Sequence, residues 1–244
     1  MGIQVRVAGC GDAFGSGGRL NACFFVQGAS GAFLIDCGAS ALIGMKRFGV
    51  DPATIDTVLI SHLHGDHFGG LPFLIRETQI LRSRSRPLVI AGPPATRERL
   101  AAVMESFFPG SSHLPSSWLS FRELEDRRTL HLEPLAVTPF RVLHTESAQP
   151  FGFRVECEGR VIAYSGDTEW TGALSEIARE SDLFLCESFS YSPTRHHLDF
   201  QTLASRRGEL SCRRLILTHL GPEMLRRQGD LEAEFAEDGQ NIAV

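Results

Sequence analysis

Three of the chain's nine histidines fall within six positions, in His62-Leu63-His64-Gly65-Asp66-His67. Neutral imidazoles with a carboxylate among them are the donors that zinc, manganese or iron accepts. The apolar run Thr57-Val58-Leu59-Ile60-Ser61 stands directly before them. Its length and β-branching read as a buried strand. Gly65 breaks the strand spacing, and Gly69-Gly70 open a loop ahead of an apolar, helix-spaced run. The donors are therefore expected on a loop at the end of a rigid strand, where metal binding is the chemistry they suit.

Three later positions share that context, a strand running out into a His or Asp. They are His144 after Val142-Leu143, Asp167 in Ser165-Gly166-Asp167-Thr168, and His219 after Leu217-Thr218. Each alone reads equally as a strand-end histidine or as a turn or capping carboxylate. Strand ends at one sheet edge converge, so together with the opening motif they are candidates for one site. Glu187 ends the strand Leu183-Phe184-Leu185-Cys186, and the His196-His197-Leu198-Asp199 stretch stands just before a helix. Spacing does not settle which of His196 and His197 points inward.

The elements that must position these residues alternate along the chain. Strands are expected at Gln4–Ala8, Ala22–Gln27, Ala32–Asp36, Thr57–Ser61, Leu88–Ala91, Ala136–Leu143, Gly152–Glu158, Val161–Ser165, Asp182–Glu187 and Arg214–Thr218, with a last one in Asp238–Val244. Helices are expected at Ala39–Phe48, Leu71–Leu81, Pro94–Phe107, Ala173–Arg179, Phe200–Arg206 and Pro222–Arg227. Phe73, Leu74 and Ile75 read as the buried face of the second helix, and Pro94 as the entry of the third. This alternation places the chain in the α/β or α+β class with layered packing. No composition shift divides it, so residues 1–244 are expected to form one domain. The glycine-dense loop Gly9–Gly18 precedes a strand rather than a helix N-terminus, which favours a tight turn over a phosphate cradle. Arg82, Arg84 and Arg86 alternate with serines in what reads as a solvated connection. The Pro/Ser/Gly segment 109–117 is a candidate lid or interface insertion, and His113 and His131 read as surface histidines.

Composition narrows the function. A chain of 244 residues with 43% hydrophobic content can bury a sizeable core. A formal net charge of -5 argues against a generally basic nucleic-acid surface. The six cysteines form no CxxC pair and lie mostly in apolar runs, as buried thiols in a reducing compartment do. The N-terminus enters a strand pattern at once, with no signal peptide and no myristoylation pattern, and no apolar run is long enough to span a membrane. A soluble, cytoplasmic protein with no membrane partner is expected.

The chain resembles the metallo-β-lactamase fold superfamily, and within it the ribonuclease Z-like branch. The early Gly-Cys-Gly loop with Arg19 and Asn21, the Asp36-Cys37-Gly38 turn, the HLHGDH motif, His144, Ser165-Gly166-Asp167-Thr168 and Thr218-His219 carry the resemblance, which covers nearly the whole chain. It implies a four-layer αββα sandwich with a dimetal site at one edge of two sheets. By matching position it implies that His62, His64 and His144 hold one divalent ion, that Asp66, His67 and His219 hold a second, and that Asp167 bridges them. Zinc is the first expectation, with manganese or iron as alternatives. Two such cations with a bridging water or hydroxide would make a nucleophile at neutral pH and stabilise the attacked centre. Enzymes of this branch place a Glu and a His where Glu187 and His197 stand, which implies a proton donor oriented by a carboxylate. With the metal-site Asp66, these form the expected catalytic set.

The interval from His144 to Asp167 lacks the long tRNA-gripping arm of ribonuclease Z, so tRNA is not the expected partner. The reading is a dinuclear metal-dependent hydrolase, a phosphodiesterase for a small or cyclic phosphodiester, with a homodimer compatible with it. The alternatives are carboxyl-ester, lactone or thioester hydrolysis at the same metals, and a non-catalytic metal-binding carrier or sensor.

Overall fold

Backbone amides and carbonyls in long apolar runs must pair with one another once buried, and in the computed structural model they do so in two seven-stranded sheets. Residues 2–81 and 86–244 are described. Arg82 and Arg84 of the Arg/Ser connection lie outside the described residues, while Arg86 pairs with Asp56 at 2.6 Å.

The first half begins as an antiparallel meander, β1 (Gln4–Gly9), β2 (Cys23–Gln27) and β3 (Ala32–Ile35). Then α1 (Ala41–Arg47), β4 (Thr57–Leu59), the single-turn α2 (Gly65–Phe68), α3 (Leu71–Leu81), β5 (Leu88–Gly92), α4 (Thr96–Phe107) and β6 (Leu119–Glu123) follow, with β3 to β6 parallel. The second half repeats the plan. β7 (Leu130–Leu132), β8 (Leu135–Arg141), β9 (Phe151–Cys157) and β10 (Arg160–Tyr164) form a meander. Then α5 (Ala173–Ala178), β11 (Leu183–Glu187), α6 (Phe200–Ser205), β12 (Leu215–Thr218), α7 (Pro222–Arg227) and β13 (Glu234–Phe235) follow, with β10 to β13 parallel. Last, β14 (Asn241–Ala243) returns to pair with β1.

Alternation along the strands explains the layers. Val5, Val7, Phe24, Val26, Phe33 and Ile35 from one sheet meet Val137, Phe153, Val155, Ile162, Tyr164 and Leu185 from the other in one buried core. The opposite face of the first sheet is covered by Met45, Leu71, Leu74, Ile75, Leu100 and Met104 from α1, α3 and α4. That of the second is covered by Leu174, Ile177, Leu203 and Met224 from α5, α6 and α7. The result is an αββα sandwich. All six cysteines are free and buried, as their apolar settings predict. His113 and His131 are exposed.

Several expectations need correction. The strands β6, β7 and β13 are absent from the sequence reading, and all three are sheet edges. An edge strand pairs on one side and needs little apolar patterning; β7 has no fully buried residue. Phe73 is not part of the buried face of α3. It is 41% exposed and rests against Phe107 and Phe108, while Leu71, Leu74, Ile75 and Thr78 turn inward. Pro94 does not open α4. The chain first turns through Ala95 at φ 65°, and α4 starts at Thr96, whose hydroxyl donates to the Pro93 carbonyl. The segment 109–117 is tied to the last turns of α4 through Glu105, which accepts from the amides of Gly110 and Ser112.

The glycine-dense loop is a turn built on Asp12. Its buried carboxylate accepts from the amides of Phe14 and Ser16 and from the Ser16 hydroxyl. Those amides are thereby satisfied from within, which leaves a phosphate little to bind.

Candidate metal centre

The carboxyl ends of the parallel strands deliver the polar residues. His62 follows β4, Asp167 follows β10, Glu187 closes β11 and His219 follows β12, while His144 follows the antiparallel β8. The HLHGDH turn docks on the end of β3, where the Cys37 amide donates to the His67 carbonyl at 2.7 Å and the Gly70 amide to the Cys37 carbonyl at 2.8 Å. Glycine is required for this approach, because a Cβ on Gly38 would sit 2.1 Å from the Asp66 carbonyl. Asp36 and His219 are held at φ 58° and 57°, a backbone cost of the kind that gathers at functional sites.

Three overlapping groups of donor atoms result. His62, His64 and His144 form the first, Asp66, His67, Asp167 and His219 the second, and His144, Asp167 and His197 a third that shares members with both, with the atoms of each group within 4.8 Å of one another. Asp167 lies between the first two. Its Oδ1 is 3.3 Å from His67 Nε2, and its Oδ2 is 3.4 Å from His219 Nε2 and 3.9 Å from His62 Nε2. The structure thus brings together all seven residues singled out as ligands.

An outer set of residues fixes the imidazoles. The buried carboxylate of Asp36 accepts from the Ser61 amide and hydroxyl at 2.8 Å each, from the Tyr164 hydroxyl at 2.8 Å, and from His67 Nδ1 at 2.7 Å. The Ser61 hydroxyl donates to Asp36, so its oxygen accepts from His62 Nδ1 at 3.1 Å. His144 Nδ1 donates to the His196 carbonyl at 2.5 Å. These bonds assign the proton of His62, His67 and His144 to Nδ1 and leave each Nε2 lone pair facing the cluster. From sequence, Asp36 reads as the end of the strand Ala32–Asp36 and the start of a turn, and Ser61 and Tyr164 read as strand residues. No local pattern marks them, because Tyr164 and Asp36 are 128 positions apart.

The arrangement fits divalent metal. His62 Nε2, His67 Nε2, His219 Nδ1 and Asp167 Oδ1 are buried without a hydrogen-bond partner, which is costly for groups with nothing to bind. Burial lowers the pKa of His62, His64 and His219 below the ordinary imidazole value, and that of His144 to about 4. Neutral imidazole is the form that ligates. His67 behaves oppositely. Burial pushes it down, but Asp167, Asp66 and Asp36 together outweigh burial and hold it well above the usual value. Among the described residues none of these carboxylates pairs with Lys or Arg. The surplus negative charge of these carboxylates is what a divalent cation at the cluster would offset.

Glu187 and His197 lie beside the second group. His197 Nδ1 is 3.0 Å from Glu187 Oε2 and 3.8 Å from Asp167 Oδ2. The other oxygen of Glu187 accepts from the Thr168 amide. The His197 ring lies against Phe189, with centroids 4.5 Å apart, and stacks over His219 at 5.6 Å. The open choice between the two adjacent histidines is thereby resolved toward His197 as the partner of Glu187. His196 contributes its main chain, and its ring meets that of His144 edge-on with centroids 6.0 Å apart.

Because Asp36 sets the tautomer of His67 directly and that of His62 through Ser61, Asp36→Asn should weaken metal binding by about 10–100-fold. Competition against a chromophoric chelator on the folded variant measures this. Unchanged affinity would show that Asp36 serves the turn alone.

Known proteins share the family and the fold. The family model described as anti-Pycsar protein Apyc1 matches residues 3–242. The uncharacterized protein Rv1339 of Mycobacterium tuberculosis is 33% identical over 251 residues, which cover 99% of this chain and 89% of that protein. The short form of human tRNase Z superposes with a TM-score of 0.78 at 25% identity, covering 99% of each chain. A diphosphatase of the PhnP family superposes with a TM-score of 0.81 at 19% identity, covering 99% of this chain and 98% of its own.

Proposed function

The chain belongs to the anti-Pycsar protein Apyc1 family, on a metallo-β-lactamase fold of the ribonuclease Z-like branch, and from that premise we propose that it is a metal-dependent phosphodiesterase acting on a small or cyclic phosphodiester. His62, His64 and His144 would hold one divalent ion and Asp66, His67 and His219 a second, with Asp167 shared and zinc the first choice over manganese or iron. Bound there, divalent cations supply a nucleophile at pH near ~7 and positive charge for the attacked phosphorus.

The observation that carries the phosphodiester reading is the His197–Glu187 pair at 3.0 Å beside Asp167. Glu187 occupies Nδ1 of His197, so Nε2 can present a proton to a leaving oxygen. An alkoxide expelled from phosphorus needs that proton, whereas a thiolate from a thioester does not. Glu187 is itself held by the Thr168 amide, next in sequence to Asp167, so acid and metal groups share one turn. The names of the tRNase Z and diphosphatase neighbours support phosphoester chemistry.

The test is a panel of bis-p-nitrophenyl phosphate, cyclic and linear alkyl phosphodiesters, thioesters and lactones, assayed after reconstitution with zinc or manganese. Turnover of phosphodiesters is expected. Turnover confined to thioesters or lactones would replace the reading with carboxyl-ester chemistry, and metal binding without any turnover would favour a carrier or sensor.

The His144–Asp167 interval holds only the 3-10 turn Glu146–Ala148 and the hairpin of β9 and β10, closed at Glu158-Gly159. With no arm there and a formal charge of -5, tRNA should bind weakly at physiological salt, since affinity for nucleic acid comes mainly from phosphate neutralisation. Sub-micromolar tRNA binding with a steep salt slope in a filter assay would revive a processing nuclease.

A further inference from the structure

Glu169 stands two residues beyond Asp167 and belongs to none of the candidate ligand groups. Its Oε1 accepts from the His196 amide at 2.8 Å. On the other side of that residue the His196 carbonyl accepts from His144 Nδ1 at 2.5 Å. The Glu169 amide donates to the Leu143 carbonyl at 2.7 Å, and Leu143 and Glu169 form an antiparallel bridge. The Leu143 amide in turn donates to the Thr168 hydroxyl at 3.0 Å. The bonds close a circuit. It runs from the Glu169 main chain to Leu143, along the chain to His144, through its ring to His196, and from the His196 amide back to the Glu169 carboxylate.

His196 sits in this circuit at φ 69°, a left-handed conformation that a side chain with Cβ disfavours. Something must hold it there, and a hydrogen bond from an amide to a carboxylate is among the stronger ones available. The side chain of His196 makes no hydrogen bond in the circuit; its two main-chain polar groups do. The next residue is His197, whose ring meets Glu187.

We propose that Glu169 is a positioning residue: by anchoring the His196 amide it presents the His196 carbonyl to His144 Nδ1, fixes His144 with Nε2 turned to the candidate metal group, 3.2 Å from His64 Nδ1, and sets His197 against Glu187. The proposal rests on the reading of His144 as a metal ligand. Physically it is one more outer hydrogen bond that orients an inner imidazole, with the difference that the carboxylate acts through a strained peptide rather than on the ring.

The test uses the full chain, with histidine side chains labelled with ¹⁵N for NMR of the metal-free protein, and chelator competition for zinc affinity. Wild type should show His144 protonated at Nδ1. Glu169→Gln, whose amide oxygen still accepts, should keep that signature and the wild-type affinity. Glu169→Ala should give mixed His144 tautomers and bind zinc about 10–100-fold more weakly. If Glu169→Ala does not fold, Glu169→Asp falls one methylene short of the amide and should show the same loss. His196→Gly keeps the carbonyl, relieves the positive φ, and should retain the His144 signature. A Glu169→Ala protein identical to wild type in both measurements overturns the proposal. So does loss of the signature in His196→Gly, which would transfer the role to the His196 ring. Failure of the wild type to bind zinc would instead sink the metal reading, while the metal-free NMR would still decide the positioning.

Discussion

Asp167→Ala should cost the protein more bound metal than any other single change at the centre. Elemental analysis of the reconstituted wild type should find two ions per chain, and the variant at most one. The reason is placement. Oδ1 of Asp167 faces His67 at 3.3 Å, and Oδ2 faces His219 at 3.4 Å and His62 at 3.9 Å, so one side chain reaches toward the first two donor groups. Removing one member of a buried charged cluster leaves its partners unpaired, and here those partners belong to both candidate ion positions. The metal-free protein should respond differently. Burial opposes the charge on Asp167, and the neighbouring His219 and His67 outweigh it and hold the carboxyl well below its usual pKa. Asp167→Asn keeps the shape and removes the charge, so it separates metal loss from unfolding. A folded Asn variant that retains both ions would show that the bridging assignment is wrong. A wild type that never exceeds one tight ion would remove the dinuclear site itself.

What could be read from the sequence divides along the same line as local against distant contacts. His62 to His67 announce themselves because the donors are adjacent and a strand-like run precedes them. His144, Asp167 and His219 are legible because each ends a run of β-branched and aliphatic residues, and such ends converge in layered folds. Asp36 could not be read in this way. Its role depends on a φ of 58° and on partners 25, 31 and 128 positions away. His196 is harder still, because its contribution is a carbonyl, which every residue type carries. The missed strands follow the same logic. Strand β13 spans only Glu234–Phe235, too short for any periodicity, and exists because β12 offers it an open edge. Phe73 misled because three apolar residues in a row suggest one buried face, whereas a helix turns the first of them away from the next two.

His197→Ala should lower turnover of an alkyl phosphodiester by about 10²–10⁴-fold, the usual contribution of a positioned general acid, while metal content stays at the wild-type level. Phosphorus–oxygen cleavage leaves an alkoxide that must gain a proton, and His197 Nε2 is the free nitrogen of a ring held by Glu187 through Nδ1. Burial alone would lower the pKa of His197. The hydrogen bond and charge of Glu187, with help from Asp167, outweigh burial and raise it to about 9. Burial and the charge of Asp167 push Glu187 up as well, to about 8, so the pair shares a proton at neutral pH, and activity on alkyl substrates should fall as pH rises and that proton is lost. Cations at Asp167 would remove part of the support, so the falling limb belongs at or below about 9. Glu187→Gln keeps the hydrogen bond but not the charge, and should shift this limb to lower pH. For a p-nitrophenyl diester the penalty of His197→Ala should shrink, because nitrophenolate leaves without a proton. Full activity of His197→Ala on alkyl diesters would remove His197 as the acid and move the assignment toward thioester chemistry, whose thiolate leaves without a proton. Equal losses on alkyl and aryl diesters would mean that His197 shapes the site rather than donating the proton.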